Sequence, residues 1–266
     1  MPLSEYTEET FAYDGRERRV FRRGSGPAVV VIAEIPGITP AVVAFADRVV
    51  ELGCTAVLPH LFGTPGKGVT VANALRALGP ACVSREFTIM ATGRTSPVVT
   101  WLRALGRHEH ERCGGPGIGV VGMCLTGGFA LGMAVDDRVL APVASQPGLP
   151  VGITKAQRRD VGLSPEDLAA VAARGPEAGV LGLRFTCDRM SPPERFARLR
   201  DELGEAFVGV EIDSGPGNAH GIGRTAHSVL TEHLVDEPGH PTRAALDQVL
   251  TLLRTRLLTP APGVTD

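Results

Sequence analysis

The sequence predicts an α/β protein with a mostly parallel central sheet flanked by helices on both faces. Two observations carry that prediction. Short apolar runs recur at 28–33, 54–58, 118–121, 139–144 and 180–185 without the polar alternation of a half-solvated strand, so each reads as a strand covered on both faces. Segments of helical spacing separate these runs, the order that right-handed crossovers and parallel pairing produce.

Residues 6–25 read as two short strands around the turn dipeptide Asp14-Gly15, with Arg18, Arg19, Arg22 and Arg23 as solvated edge charges. Ala28–Ala33 is a buried strand, and Glu34-Ile35-Pro36-Gly37 follows it at once. Thr39-Pro40 supplies an N-cap and first-turn pair for a helix to about Leu52, closed by Gly53, and Cys54–Pro59 is the next strand. Beyond Phe62 a Gly/Pro-rich loop, a short helix near Val71–Leu78 and the Arg85-Glu86-Phe87 stretch form an excursion of the kind that covers a site. Pro97–Leu105 is helical, with Trp101 packed, and Gly114–Gly117 lead into the strand Ile118–Val121. Val139–Ala144 is a strand ending in Ser145-Gln146-Pro147-Gly148, followed by loop until Ser164-Pro165-Glu166-Asp167 opens a helix. A strand at Val180–Thr186, a helix at Ser191–Ala206, a strand at Phe207–Ile212 and an amphipathic helix from Pro241 to Leu258 complete the alternation.

Composition narrows the function. Of 266 residues 43% are hydrophobic and 21% charged, the balance of an ordinary globular chain, and one domain over 1–266 is expected. Net charge is −2 and the basic residues are scattered, which argues against nucleic acid or an anionic membrane as partner and for a small molecule. The five cysteines form no C-x-x-C pair, so neither a zinc site nor a disulfide framework is suggested, and no metal or cofactor is expected. Met1–Glu5 carries acid in place of a basic leader, no apolar run approaches the roughly 18 residues of a membrane span, and a cytoplasmic location is the expectation.

The chemistry centres on Gly117–Leu131. A short apolar strand runs into Gly122-Met123-Cys124-Leu125-Thr126-Gly127-Gly128, and a helix follows, so Cys124 sits at the turn. Small neighbours around a sharp strand-to-helix turn are what a nucleophile elbow needs, because the strained turn pushes one side chain out over the sheet. The plain alternative is a cysteine used as a small core hydrophobe. Thr126 stands where the elbow's common form has glycine.

Glu34 is the second informative residue, since a carboxylate abutting a buried strand is either exposed at the sheet's end or held there by design. Asp188 and the histidines beyond Ile212 also follow strands, and open parallel sheets bind ligands at strand carboxyl ends. The chain order of nucleophile, acid and histidine is that of the α/β-hydrolase triad.

From about Ala28 to the C-terminal helix, the sequence resembles the dienelactone hydrolase family. Four segments carry the resemblance: Glu34-Ile35, Gly122-Met123-Cys124-Leu125, Cys187-Asp188-Arg189-Met190-Ser191-Pro192 and Ala226-His227-Ser228. The resemblance implies an α/β-hydrolase fold, a Cys124–His227–Asp188 triad and hydrolysis of a lactone, ester or related acyl substrate. It also implies that Glu34 pairs with the resting thiol until substrate arrives. His227 is preferred to His220, which is nearer the last strand but lies in a Gly-rich loop; His233 and His240 are remoter choices. The backbone N–H groups of Leu125 and Ile35 are the natural oxyanion hole. Thr231 stands where dienelactone-cleaving members carry an arginine for the substrate carboxylate, leaving Arg85, Arg94, Arg189 and Arg224 as candidate substrate contacts and favouring a neutral ester, lactone or thioester. A cysteine-dependent thioesterase and a non-catalytic small-molecule binder on the same fold are the rival readings, and a glutamine-amidotransferase-like site ranks below them.

Overall fold

The computed structural model describes residues 2–70, 96–148 and 154–259. Its strands are β1 (Thr7–Tyr13), β2 (Arg16–Gly24), β3 (Ala28–Ile32), β4 (Thr55–Pro59), β5 (Ile118–Met123), β6 (Val139–Ser145), β7 (Val180–Phe185) and β8 (Phe207–Ile212). They form one sheet in the order β1-β2-β4-β3-β5-β6-β7-β8. The first two strands are antiparallel to their neighbours, and every pairing from β4 to β8 is parallel.

The described helices are α1 (Pro40–Glu51), α2 (Pro97–Cys113), α3 (Gly127–Met133), α4 (Lys155–Arg159), α5 (Pro165–Ala173), α6 (Pro193–Leu203) and α7 (Pro241–Leu257). Their starts follow from local chemistry. Thr39, Ser96 and Ser164 each accept a hydrogen bond from a first-turn N–H, with proline at the next position fixing φ for the helix. The short α4 lies in a stretch expected to be loop, where Thr154 and Gln157 form a reciprocal capping box.

Strand pleating divides the core in two. Val30, Ile32 and Val120 point into one layer with Trp101, Phe129 and Phe196, whereas Val29, Val31 and Val121 point into the other with Phe45, Leu246 and Leu253. The central strands β3 to β7 are thus buried on both faces, as their continuous apolar runs require. The arginines of β2 differ in part from expectation: Arg22 pairs with buried Glu109 at 2.8 Å and Arg23 with buried Asp47 at 3.1 Å, whereas Arg19 is a solvated charge, as expected, beside exposed Glu8 at 3.0 Å. Among the described residues no helix is long and apolar enough to cross a membrane.

Candidate active site

β5 ends at Met123, a tight 3-10 turn spans Cys124–Thr126, and α3 begins at Gly127. Cys124 has φ of +54°, a left-handed conformation that costs a non-glycine residue energy and so needs support from its surroundings. The supports are visible. A Cβ at Gly122 would lie 2.1 Å from the Thr126 carbonyl oxygen, and one at Gly127 would lie 2.9 Å from Pro147 Cα, so only glycine lets the turn close. Thr126 has ordinary helical dihedrals and does not need to be glycine; its hydroxyl accepts from Met123 N at 2.8 Å and lies 2.8 Å from the Ile32 carbonyl, tying the elbow to β3.

The segment after β7 delivers Asp188, and the loop after β8 delivers His227. Asp188 Oδ2 lies 2.7 Å from His227 Nδ1, while its Oδ1 accepts from Met190 N at 2.9 Å. Both residues are buried. The carboxylate therefore fixes the ring orientation and holds a proton on Nδ1, leaving Nε2 on the side of the ring away from Asp188. Among the described residues His227 Nε2 is buried without a partner at hydrogen-bond geometry. The Cys124 sulfur and the His227 ring share one wall, since a Cβ at Gly148 would lie 3.4 Å from Sγ and 3.5 Å from Cε1. Burial works against charge on the imidazole, but the hydrogen bond to Asp188 and the neighbouring Cys124 outweigh it and raise the His227 pKa to about 10. His220 lies elsewhere: it is exposed, with its ring against His240 at 5.2 Å between centroids. His233 supports the His227 turn, its Nδ1 accepting from Ser228 N at 3.2 Å.

Glu34 is buried at the end of β3, but its described hydrogen bonds do not go to the thiol. It accepts from Ser228 Oγ at 2.7 Å, from Gln146 Nε2 at 3.3 Å and from the Thr231 hydroxyl. Gln146, fully buried with φ of +35°, also accepts from Val229 N at 3.3 Å, so the network ties the ends of β3 and β6 to the His227 segment. Ile35 and Leu125 each follow one of the paired strands β3 and β5, in which Ile32 lies opposite Gly122.

The expected substrate contacts divide sharply. Arg85 and Arg94, with the helix expected near Val71–Leu78, lie outside the described residues. Arg189 and Arg224 are exposed, and Thr231 is buried with its hydroxyl committed to Glu34. The arginine that does reach the site is Arg195 on α6. It lines a small pocket with Leu125, Gly128, Pro147, Gly148, Asp160 and Val161. A second buried arginine, Arg184, donates to the carbonyls of Thr186 at 2.9 Å and Ser191 at 2.8 Å and pairs with Glu211, fastening both ends of the Asp188 loop. Sequence reasoning assigned neither a role, yet signals were present. Arg184 is the lone charge in an apolar strand, and Arg195 occupies the same helix stripe as Leu199 and Leu203.

Strand order and the strained turn at Cys124 together place the chain among the α/β-hydrolase folds. The dienelactone hydrolase family model matches residues 18–255, and the chain belongs to that family. No curated protein sequence matches it. Among solved structures it is similar to a dienelactone hydrolase-like promiscuous phosphotriesterase from metagenomic libraries, at TM-score 0.61 and 14% identity over 95% of this chain and 98% of that one. A cold-adapted esterase from an Arctic intertidal metagenomic library matches at TM-score 0.58 and 17% identity over 95% and 94%. A 2,6-dihydroxy-pseudo-oxynicotine hydrolase matches at TM-score 0.59 and 15% identity over 96% of this chain and 70% of that one. At these identities the likeness is one of fold.

Proposed function

We propose that the protein hydrolyses a carboxylic ester or lactone of a small molecule through Cys124, His227 and Asp188, by way of an acyl-enzyme. The observation that carries this reading is the 2.7 Å Asp188–His227 contact beside a cysteine at positive φ, since a packing cysteine has no need of a strained turn or an oriented imidazole. Nε2 of His227 takes the thiol proton, and the raised pKa of the imidazole favours the thiolate partner. Sulfur then attacks the acyl carbon, and the oxygen that becomes negative is received by the N–H groups of Leu125 and Ile35, each donor contributing about 3–4 kcal/mol. When the tetrahedral adduct collapses, His227 gives its proton to the leaving oxygen. Water then attacks the thioester carbonyl, His227 takes its proton, and the acid departs as the thiol is regenerated.

Glu34 acts here as the anchor of the His227 segment, as its three hydrogen bonds suggest. A carboxymethylenebutenolide-type lactone remains the family's substrate, but the commitment of Thr231 to Glu34 favours a neutral ester, lactone or thioester. Intact-protein mass spectrometry with a slowly deacylating ester tests the proposal. A stable acyl adduct mapped to Cys124 and absent from Cys124→Ala is expected; full ester turnover by Cys124→Ala overturns it.

A further inference from the structure

Arg195 donates from all three guanidinium nitrogens to backbone carbonyls of separate segments, and it is 2% exposed. Nη1 donates to Pro147 O at 2.6 Å and to Met190 O at 2.8 Å. Nη2 donates to Gln157 O at 3.3 Å, and Nε to Asp160 O. Both Nη1 acceptors belong to residues whose neighbouring N–H groups hold the reacting residues. The Pro147 carbonyl shares its peptide with Gly148, whose N–H donates to Cys124 O at 3.0 Å. The N–H of Met190 holds Asp188 Oδ1 at 2.9 Å.

We propose that Arg195 is a positioning residue of the reaction: its Nη1 fastens the Pro147–Gly148 wall beside the nucleophile to the loop that carries Asp188, setting acid and thiol in register. This rests on the reading of Cys124 as nucleophile. A single planar fork is needed, because a lysine ammonium is one point charge on a flexible stem and cannot span these acceptors. The charge matters as well as the fork. Among the described residues no carboxylate forms an ion pair with Arg195; Asp160, Asp188, Glu194 and Cys124 act on it only at longer range. Its guanidinium stands on the wall of a pocket that Leu125 and Asp160 also line; Asp160 offsets part of its positive charge, and the remainder favours negative charge on sulfur and on the developing oxyanion.

The test uses the full-length enzyme with p-nitrophenyl acetate, comparing wild type, Arg195→Lys, Arg195→Met and Cys124→Ala. Misplacement of reacting groups by about an ångström costs on the order of 10²-fold, so both Arg195 variants should lose kcat on that scale with KM little changed. A folded Arg195→Lys with wild-type kcat overturns the clamp, as does a loss of thermal stability with kcat intact. A second measurement does not depend on folding of those variants. In the His227→Ala enzyme, where no imidazolium contributes, site-resolved alkylation should favour anionic iodoacetate over neutral iodoacetamide at Cys124 relative to free cysteine; an unchanged ratio overturns the role of the charge. Cys124→Ala separates the two levels: if it turns over ester, the nucleophile reading fails and Arg195 with it, whereas an inactive Cys124→Ala beside normal Arg195 variants sinks the Arg195 inference alone.

Discussion

The carboxylate of Glu34 accepts a hydrogen bond from the Ser228 hydroxyl at 2.7 Å, joining the end of β3 to the residue that follows His227. Chain separation makes the contact informative, since the two partners are 194 positions apart in the sequence. Glu34 thereby competes for a different role from the thiol partner that family resemblance implies. Glu34→Ala should leave the donors on Ser228, Thr231 and Gln146 without an acceptor, at about 1–3 kcal/mol for each orphaned group. A lower Tm with a fall in kcat is the expected result, read by differential scanning calorimetry and ester kinetics. Unaltered stability with faster alkylation of Cys124 would instead restore the thiol-pairing role.

The elbow supplies a second prediction. Gly122→Ala must displace the Thr126 carbonyl, which lies 2.1 Å from the added methyl position, so both turnover and stability should fall. Thr126→Val keeps the volume but removes the hydroxyl that contacts Ile32 O and Met123, and should destabilise by about 1–3 kcal/mol through unsatisfied buried groups. Denaturant melts of the two variants check this. A Thr126→Val enzyme as stable as wild type would show that the tie to β3 contributes nothing.

Much of this architecture is readable from residues alone, for identifiable reasons. Apolar runs such as 28–32 can only be two-sided strands, and Thr39-Pro40 and Ser164-Pro165 mark helix starts because capping is a local interaction. The elbow is legible because glycine is required wherever backbone crowds backbone, as at Gly122. What is not legible is long range. Nothing near Arg195 in sequence tells that Pro147 and Met190 carbonyls await it, and nothing near Thr231 announces Glu34. The partial burial of Arg22 and Arg23 is hidden for the same reason, since their partners Glu109 and Asp47 come from distant helices.

His227 provides the third prediction. His227→Ala should lose about 10³-fold in kcat, the scale of general-base catalysis, while His220→Ala, exposed and against His240, should stay near normal. The reverse pattern would move the base to His220 and leave the Asp188 contact as a structural one.

Stability should also depend on pH through this imidazole. The folded pKa of His227 is raised from 6.5 to about 10, so between those values the folded state binds more protons than the unfolded one. Its contribution is therefore complete below pH 6.5 and is lost as pH rises through 10. The stability difference between wild type and His227→Ala, measured by urea unfolding across that range, should shrink with rising pH. A difference that grows would mean that the imidazole is held neutral.

Substrate charge is the last and most discriminating prediction. Arg189 and Arg224 are exposed to solvent, and Arg195 spends its nitrogens on backbone carbonyls, so none of the three offers a buried free fork for a substrate carboxylate. A carboxylate desolvated without a hydrogen-bonded cationic partner loses several kcal/mol. The fixed charge of Arg195 offsets part of that cost, and kcat/KM for a carboxylate-bearing lactone should still fall on the order of 10²-fold below that of its methyl ester. Thr231→Arg should not close the gap, because Thr231 already donates to Glu34 and an arginine there would meet that carboxylate first. Comparable kcat/KM for acid and ester in the wild type would overturn this reading and direct attention to Arg85 and Arg94, whereas a gap closed by Thr231→Arg would show that position 231 opens on the substrate after all.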